Sequence, residues 1–417
     1  MKKNGIVSVA ALVLAMFAFV SCQQGGGAGI RLAQNKPEID AALQAYAAVW
    51  SEQNGIDVTI QSVGGGTGAD LTQQLRADFT AGEMPDIFAI DGIEAYREWE
   101  SIVLDLSDEP WVDDTTLELV IDGNVYGFPV SIEGWGMAYN ADILEQAGVD
   151  PATLTNYDAY VAAFEQIDAI RDELGLQSVV SMGASAELGW VTAHHNFNSL
   201  LSNGLEYGDQ SVAQAILAGQ VDQERLGQYA DWVELLFEYA DPAVLTTGNY
   251  DAQVGAFATG RTAFLHQGNW VDPNLADANA TFDMGFAPHG SLREDTNGIF
   301  VSAPSFYVIN AESENIEAAK QFLSDMVYTQ EGHNYMVNEA GMIPAFRTVE
   351  IGPTGPLSRE VQEWAAEGNV YSWNQYLFTE DFRDRTLAVI YNRFATGQID
   401  RDEFMRLMTE ALEQSAS

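Results

Sequence analysis

Between residues 30 and 91 the apolar spacing changes period four times, and that alternation restricts the fold more than any other feature of the chain. Residues 30–34, "IRLAQ", read as a short strand. Residues 35–55 place Ile39, Ala42, Leu43, Tyr46, Val49 and Trp50 on one helical face. Asn35 stands where a helix cap belongs, with Glu38 three residues on as its capping-box partner. Ile56, Val58 and Ile60 then alternate as in a strand. A glycine turn at 64–68 follows, then a helical stripe of Leu71, Leu75 and Phe79 stopped at Gly82, then the apolar strand "DIFAI". Strand, helix, strand, helix, strand in about sixty residues predicts a parallel sheet with crossover helices, whose ligands gather at the carboxyl ends of the strands.

The pattern continues with helical stretches at 156–174, 222–240, 312–330, 381–396 and 401–414 around strands such as "RTAFLHQ" and "APSFYVIN". Residues 126–140, "YGFPVSIEGWGMAYN", mix glycine, proline and aromatics and read as a crossing between two bodies. A chain of 417 residues with 47% hydrophobic content holds more than one core normally serves, so two lobes are expected. No repeat or heptad series is present.

Residues 1–21 have the build of an export signal: Lys2 and Lys3, then the apolar run "IVSVAALVLAMFAFV", too short to span a bilayer as a permanent helix. Cys22, the single cysteine, follows it and can form no disulfide within the chain. The stretch "FVSC" is similar to the lipobox of bacterial lipoproteins, which implies a lipid on Cys22 after cleavage. The glycine-rich residues 23–29 then serve as a tether. The chain carries 61 acidic and 18 basic residues, a formal charge of −43, and beyond the leader its lysines are Lys36 and Lys320. Such a surface repels nucleic acid and anionic lipid headgroups, and its acids are interleaved with apolar helix faces as on a fold adapted to high salt or alkaline conditions.

Enzyme templates fail in turn. The "GGGTG" turn lacks the lysine of a phosphate loop and misses the dinucleotide spacing. His194 and His195 are adjacent, so they fall on different helix faces and make a poor metal pair; polar lining or surface suits them better. Residues 272–283, "DPNLADANATFD", lack the central glycine of a calcium loop and read as a capped surface turn. No metal and no cofactor is expected. Tryptophans discriminate more. Trp50, Trp99, Trp232 and Trp364 sit in apolar helical patterns and read as core. Trp135, Trp190, Trp270 and Trp373 sit among Gly, Asn, Glu and Gln, where core packing and stacking on the apolar face of a sugar fit equally well.

Residues 66–92, 126–148, 260–270 and 306–345, in order, resemble the family 1 extracellular solute-binding proteins of ATP-binding-cassette sugar importers. The resemblance implies an α/β, two-lobed periplasmic-binding-protein-like fold, with lobes of residues 30–131 plus 302–347 and 132–301 plus 348–417. The chain would cross between them near 131, 301 and 348. It further implies a monomer that holds a sugar or oligosaccharide in the cleft and closes to signal to permease subunits in the membrane. By position it assigns Asn35, Glu38, Asp91, Glu133, Trp135, Trp190, Trp270, Trp373 and Asn374 to the cleft, with Arg347 either at the site or in an ion pair. Two rival readings stand beside it. Aromatic boxes with carboxylates also hold cations such as polyamines. A carbohydrate-cleaving lipoprotein would need two carboxylates about 5 to 9.5 Å apart across one bond.

Overall fold

The computed structural model describes residues 29–63 and 70–415. The export signal, Cys22, most of the tether and the glycine turn at 64–68 lie outside the described residues.

Six strands form the first sheet, in the order Val58–Ser62, Ile30–Gln34, Ile87–Asp91, Ser305–Ile309, Asn124–Pro129, Leu119–Ile121. The first three are parallel, with Ile30 opposite Val58 and Leu32 opposite Ile87, as the alternating periods predict. Ser305–Ile309 arrives antiparallel from far along the chain. The crossover helices are Asp40–Asn54 and Leu71–Ala81. The first ends at Gly55 and the second at Gly82, whose φ values of 69° and 70° lie in the left-handed region that glycine adopts freely. Asp70 caps the second helix by accepting from the Thr72 and Gln73 amides.

Local sequence misplaces some details. Pro37 opens a short 3₁₀ turn, Pro37–Ile39, and the helix proper begins at Asp40, so Asn35 and Glu38 form no capping box. Val49 and Phe79 fall at the margins of their helical stripes and are exposed, Phe79 leaning on the Trp99 ring at 5.9 Å. Residues 272–283 are not a surface turn: Asp272 opens the helix Asp272–Asp277, and its buried carboxylate accepts from the Leu357 and Ser358 amides.

A second sheet orders Met284–Ala287, Met137–Asn140, Thr262–Leu265 and Ser178–Ser181, and a third orders Val370–Tyr371, Ile299–Ser302 and Glu133–Trp135. Buried side chains separate into two large cores. One draws on residues 30–130 and 306–349; the other draws on 137–301 and 357–412 together with Ile343. The chain passes between them from Pro129 to Glu133, from Ser302 to Ser305, and after Val349, and a bridge between Ile132 and Ile343 ties the first passage to the segment that leads into the third. Trp50, Trp99 and Trp232 are buried, and Trp364 packs against the second core. Among the described residues no helix is long and apolar enough to cross a membrane.

Candidate functional site

In the first sheet the chain runs from Ile30–Gln34 outward to Val58–Ser62 and returns to the other side at Ile87–Asp91. Loops leaving the two inner strands therefore diverge, and a crevice opens between their carboxyl ends. The side chain of Gln34 fixes the first loop, donating to Ser62 Oγ at 2.5 Å and to the Lys36 carbonyl at 2.9 Å while accepting from the Lys36 amide at 2.6 Å. Asn35 Nδ2 donates to Asp91 Oδ2 at 2.8 Å, and Ser305 Oγ donates to Asp91 Oδ1 at 2.5 Å. Lys36 reaches across to Glu133 Oε1 at 2.5 Å, which also accepts from Ser131 at 3.1 Å.

The charges at this floor shift one another. Burial alone would pull the Lys36 ammonium down, but Glu133, Glu38 and Asp91 outweigh it and hold the group above its ordinary value. Burial pushes the Glu38 carboxyl up to about 7, with Lys36 opposing. Three carboxylates thus share one ammonium.

The opposite wall comes from the second core. Residues Val191–Asn196 and Phe382–Leu387 each form a wide π-type turn, a feature that recurs at functional sites. The two turns meet at His194. Arg383 Nη1 lies 2.7 Å from His194 Nδ1, and a guanidinium can only donate, so Nδ1 accepts and the Nε2–H donates to Asp384 Oδ1 at 2.6 Å. Burial, then Arg383, pulls the His194 pKa down against the pull of Asp384. His195 sits among aromatic rings, with centroids 5.2 Å from Trp190, 4.9 Å from Trp270 and 5.4 Å from Trp373. Trp373 stacks on Tyr376 at 6.1 Å, and Gly92 makes that placement possible, because a Cβ there would collide with the Tyr376 ring.

These two walls enclose a cavity of about 500 Å³. Its mouth is bridged where Thr72 Oγ1 donates to Glu380 Oε2 at 2.6 Å and Arg76 meets Asp381 at 3.3 Å. Burial pushes Glu380 up to about 7 while the Thr72 bond resists. Oxygens of Asp70, Glu380 and Asp384 lie within 4.8 Å of one another. Each has a hydrogen-bond partner, respectively the helix amides, Thr72 and His194.

Of the residues assigned from sequence, Asn35, Glu38, Asp91, Glu133, Trp190, Trp270 and Trp373 line the cavity. Three do not. Trp135 is 0% exposed and stacks on Phe300 at 4.2 Å, beneath the wall and against His266 and His289. Asn374 is buried, its side chain donating to the Asp209 carbonyl and its amide to Asn198. Arg347 donates to the Asp113 carbonyl away from the cavity. Sequence reading passed over Lys36, Tyr250, Tyr376 and Arg383, which also line it. Lys36 carried a signal, since a body so poor in lysine keeps one beside the switch point.

Some polar atoms in this wall have no partner among the described residues. Asn35 Oδ1 and Glu187 Oε1 are acceptors, the Trp373 indole N–H is a donor, and His195 Nδ1 is unpaired. Buried polar atoms are normally hydrogen-bonded, so a mixed set of this kind suits a ligand rich in hydroxyls, each of which both donates and accepts.

The family model for bacterial extracellular solute-binding proteins matches residues 33–342. Among similar proteins, the maltooligosaccharide ABC transporter solute-binding lipoprotein of Streptococcus pneumoniae (strain R6) is 24% identical over 73% of this chain and 69% of its own. The melibiose/raffinose/stachyose-binding protein of Bacillus subtilis (strain 168) is 22% identical over 69% of this chain and 67% of its own. In fold, a sugar transporter of Bacillus licheniformis solved with stachyose superimposes with a TM-score of 0.74 at 17% identity, covering 93% of this chain and all 100% of that one. A chitin oligosaccharide binding protein gives 0.74 at 18% identity, covering 93% and 98%.

Proposed function

The chain belongs to the bacterial extracellular solute-binding protein family, and from that premise we propose that it captures a sugar or oligosaccharide between two lobes and delivers it to an ABC permease. The observation that carries this is the wall of the 500 Å³ cavity, where Trp190, Trp270, Trp373 and Tyr376 offer flat apolar faces beside Asn35, Glu38, Asp91 and Glu133. Sugars present apolar C–H faces ringed by hydroxyls, and aromatic platforms edged by carboxylates and amides satisfy both. The two lobes are residues 30–131 plus 302–347 and residues 132–301 plus 348–417, a division supported by the two separate cores. The protein is a receptor and performs no catalysis. It is exported and held to a membrane through lipid on Cys22.

The test is a thermal-shift screen with maltotriose, raffinose, stachyose, chitotriose and spermidine. A sugar at a hundred times its dissociation constant adds about 2.7 kcal/mol of stability. Stabilisation by spermidine alone would move the assignment to a cationic solute, and release of reducing ends from a stabilising oligosaccharide would make the protein a hydrolase. Cys22→Ser should free the protein from the membrane fraction; unchanged partitioning would defeat the anchor.

A further inference from the structure

Among the described residues, the cavity wall carries eight carboxylates against four lysine and arginine side chains. The cations are already engaged. Lys36 pairs with Glu133, Arg76 with Glu98 and Asp381, and Arg385 with Asp381 at 3.2 Å. Arg383 has no carboxylate at hydrogen-bonding distance, but it is only 2% exposed and is spent on His194, the Phe378 carbonyl and the face of the Tyr376 ring. The histidines add no charge, because burial holds both His194 and His195 below their ordinary values.

On the acidic side, acceptor capacity is left over. Glu38 shares Lys36 with Glu133 and Asp91 and is held otherwise by its own backbone amide, and Glu187 Oε1 is buried without a partner among the described residues. Glu133 uses only Oε1. Among the described residues, a ligand entering this cavity meets open carboxylate oxygens and no cation without a partner.

Building on the sugar reading above, we propose that the cleft selects by charge: it accepts sugars that are uncharged or carry an amine and rejects those bearing a carboxylate, with Glu38 and the Lys36–Glu133 pair as the specificity-determining groups. Three carboxylates against one ammonium leave net negative charge, and a ligand carboxylate at about 6 Å from one unit of that excess, at an effective dielectric constant near 20, loses roughly a hundredfold in affinity. Lys36 cannot offset this, since turning it toward the ligand would strand Glu133 in a buried site.

The experiment titrates the mature chain calorimetrically at pH 8 and low salt with maltotriose, cellotriose, raffinose and stachyose. Each is paired with a derivative in which one primary hydroxyl is oxidised to a carboxylate and another in which it is replaced by an amine. The expected result for a sugar that binds is a carboxylate form weaker by about a hundredfold and an amine form at least as tight as the parent. The gap between carboxylate form and parent should narrow in molar salt and in Glu38→Gln. A carboxylate form binding as well as its parent overturns the inference and leaves the sugar reading standing, as does an amine form that fails equally, because position and not charge would then be at fault. Silence from every sugar in all three forms defeats the sugar reading itself.

Discussion

Replacing His266 by Phe should flatten the acid side of the stability curve. The ring of His266 is fully buried, 5.5 Å from Trp135 and 4.9 Å from His289, and neither of its nitrogens has a partner among the described residues. Burial pulls its pKa from 6.5 down to about 3. The folded chain therefore leaves this ring neutral over a range in which the unfolded chain protonates it, so its contribution is intact above pH 6.5 and is lost as pH falls from there toward 3. At about 1.4 kcal/mol per pH unit, the loss by pH 4.5 is about 3 kcal/mol. Other groups titrate in the same range with the opposite sign. Glu38 and Glu380, both pushed up to about 7, take protons in the fold before the unfolded chain does, and stabilise it as pH falls from 7 toward 4.5. The native curve mixes these effects, so the quantity to read is the difference between His266→Phe and the native chain. Phenylalanine preserves the ring contacts and removes only the titration. Urea unfolding followed by circular dichroism at pH 8 and pH 4.5 should show the native chain losing about 3 kcal/mol more than the variant between the two. Parallel curves would mean that the His266 ring is charged or hydrogen-bonded in the fold, and the account of this cluster as neutral would be wrong.

Lys36→Met should leave Glu133 buried without its cation and cost about 3 to 5 kcal/mol at pH 8, measured by urea midpoint; a loss under about 1 kcal/mol would show the pair to be dispensable. Trp135→Ala, which opens a hole beneath the cavity wall, should lower stability by about 3 to 5 kcal/mol, whereas Trp270→Ala, which removes a lining ring, should weaken sugar binding at least tenfold at a smaller cost in stability. If Trp270→Ala bound normally, that ring would return to the core. With 61 acids against 18 bases, the melting temperature should climb from low to molar sodium chloride, because the Debye length contracts from about 30 Å to about 3 Å and only adjacent charges still repel. A flat response would show the acids too dispersed to strain the fold, and a gain with sulfate alone would point to apolar burial.

What the sequence determined by itself was the part of the protein governed by short-range periodicity. The alternation over residues 30–91 specified the three parallel strands and their two crossover helices, because a side-chain period of 2.0 or 3.6 is a property of consecutive residues. The stop at Gly82 was legible too, because glycine takes the left-handed conformation freely; the matching cap at Gly55 came from the structure.

Tertiary structure decided which of two locally equivalent residues faces the cleft. Trp135 in "EGWG" and Trp270 in "GNWV" have nearly the same surroundings in sequence, yet Phe300, His266 and His289, all more than a hundred positions from Trp135, seal the first and leave the second lining the cavity. Asn35 could cap a helix, but Asp91, 56 residues away, takes its amide instead, since a charge-assisted bond at a partly buried site outweighs a cap that Pro37 has already displaced. The π-type turns that bring His194, Arg383 and Asp384 together leave no periodic trace, because one extra residue per turn is stabilised by contacts between Val191–Asn196 and Phe382–Leu387, and those contacts exist only once the chain has folded.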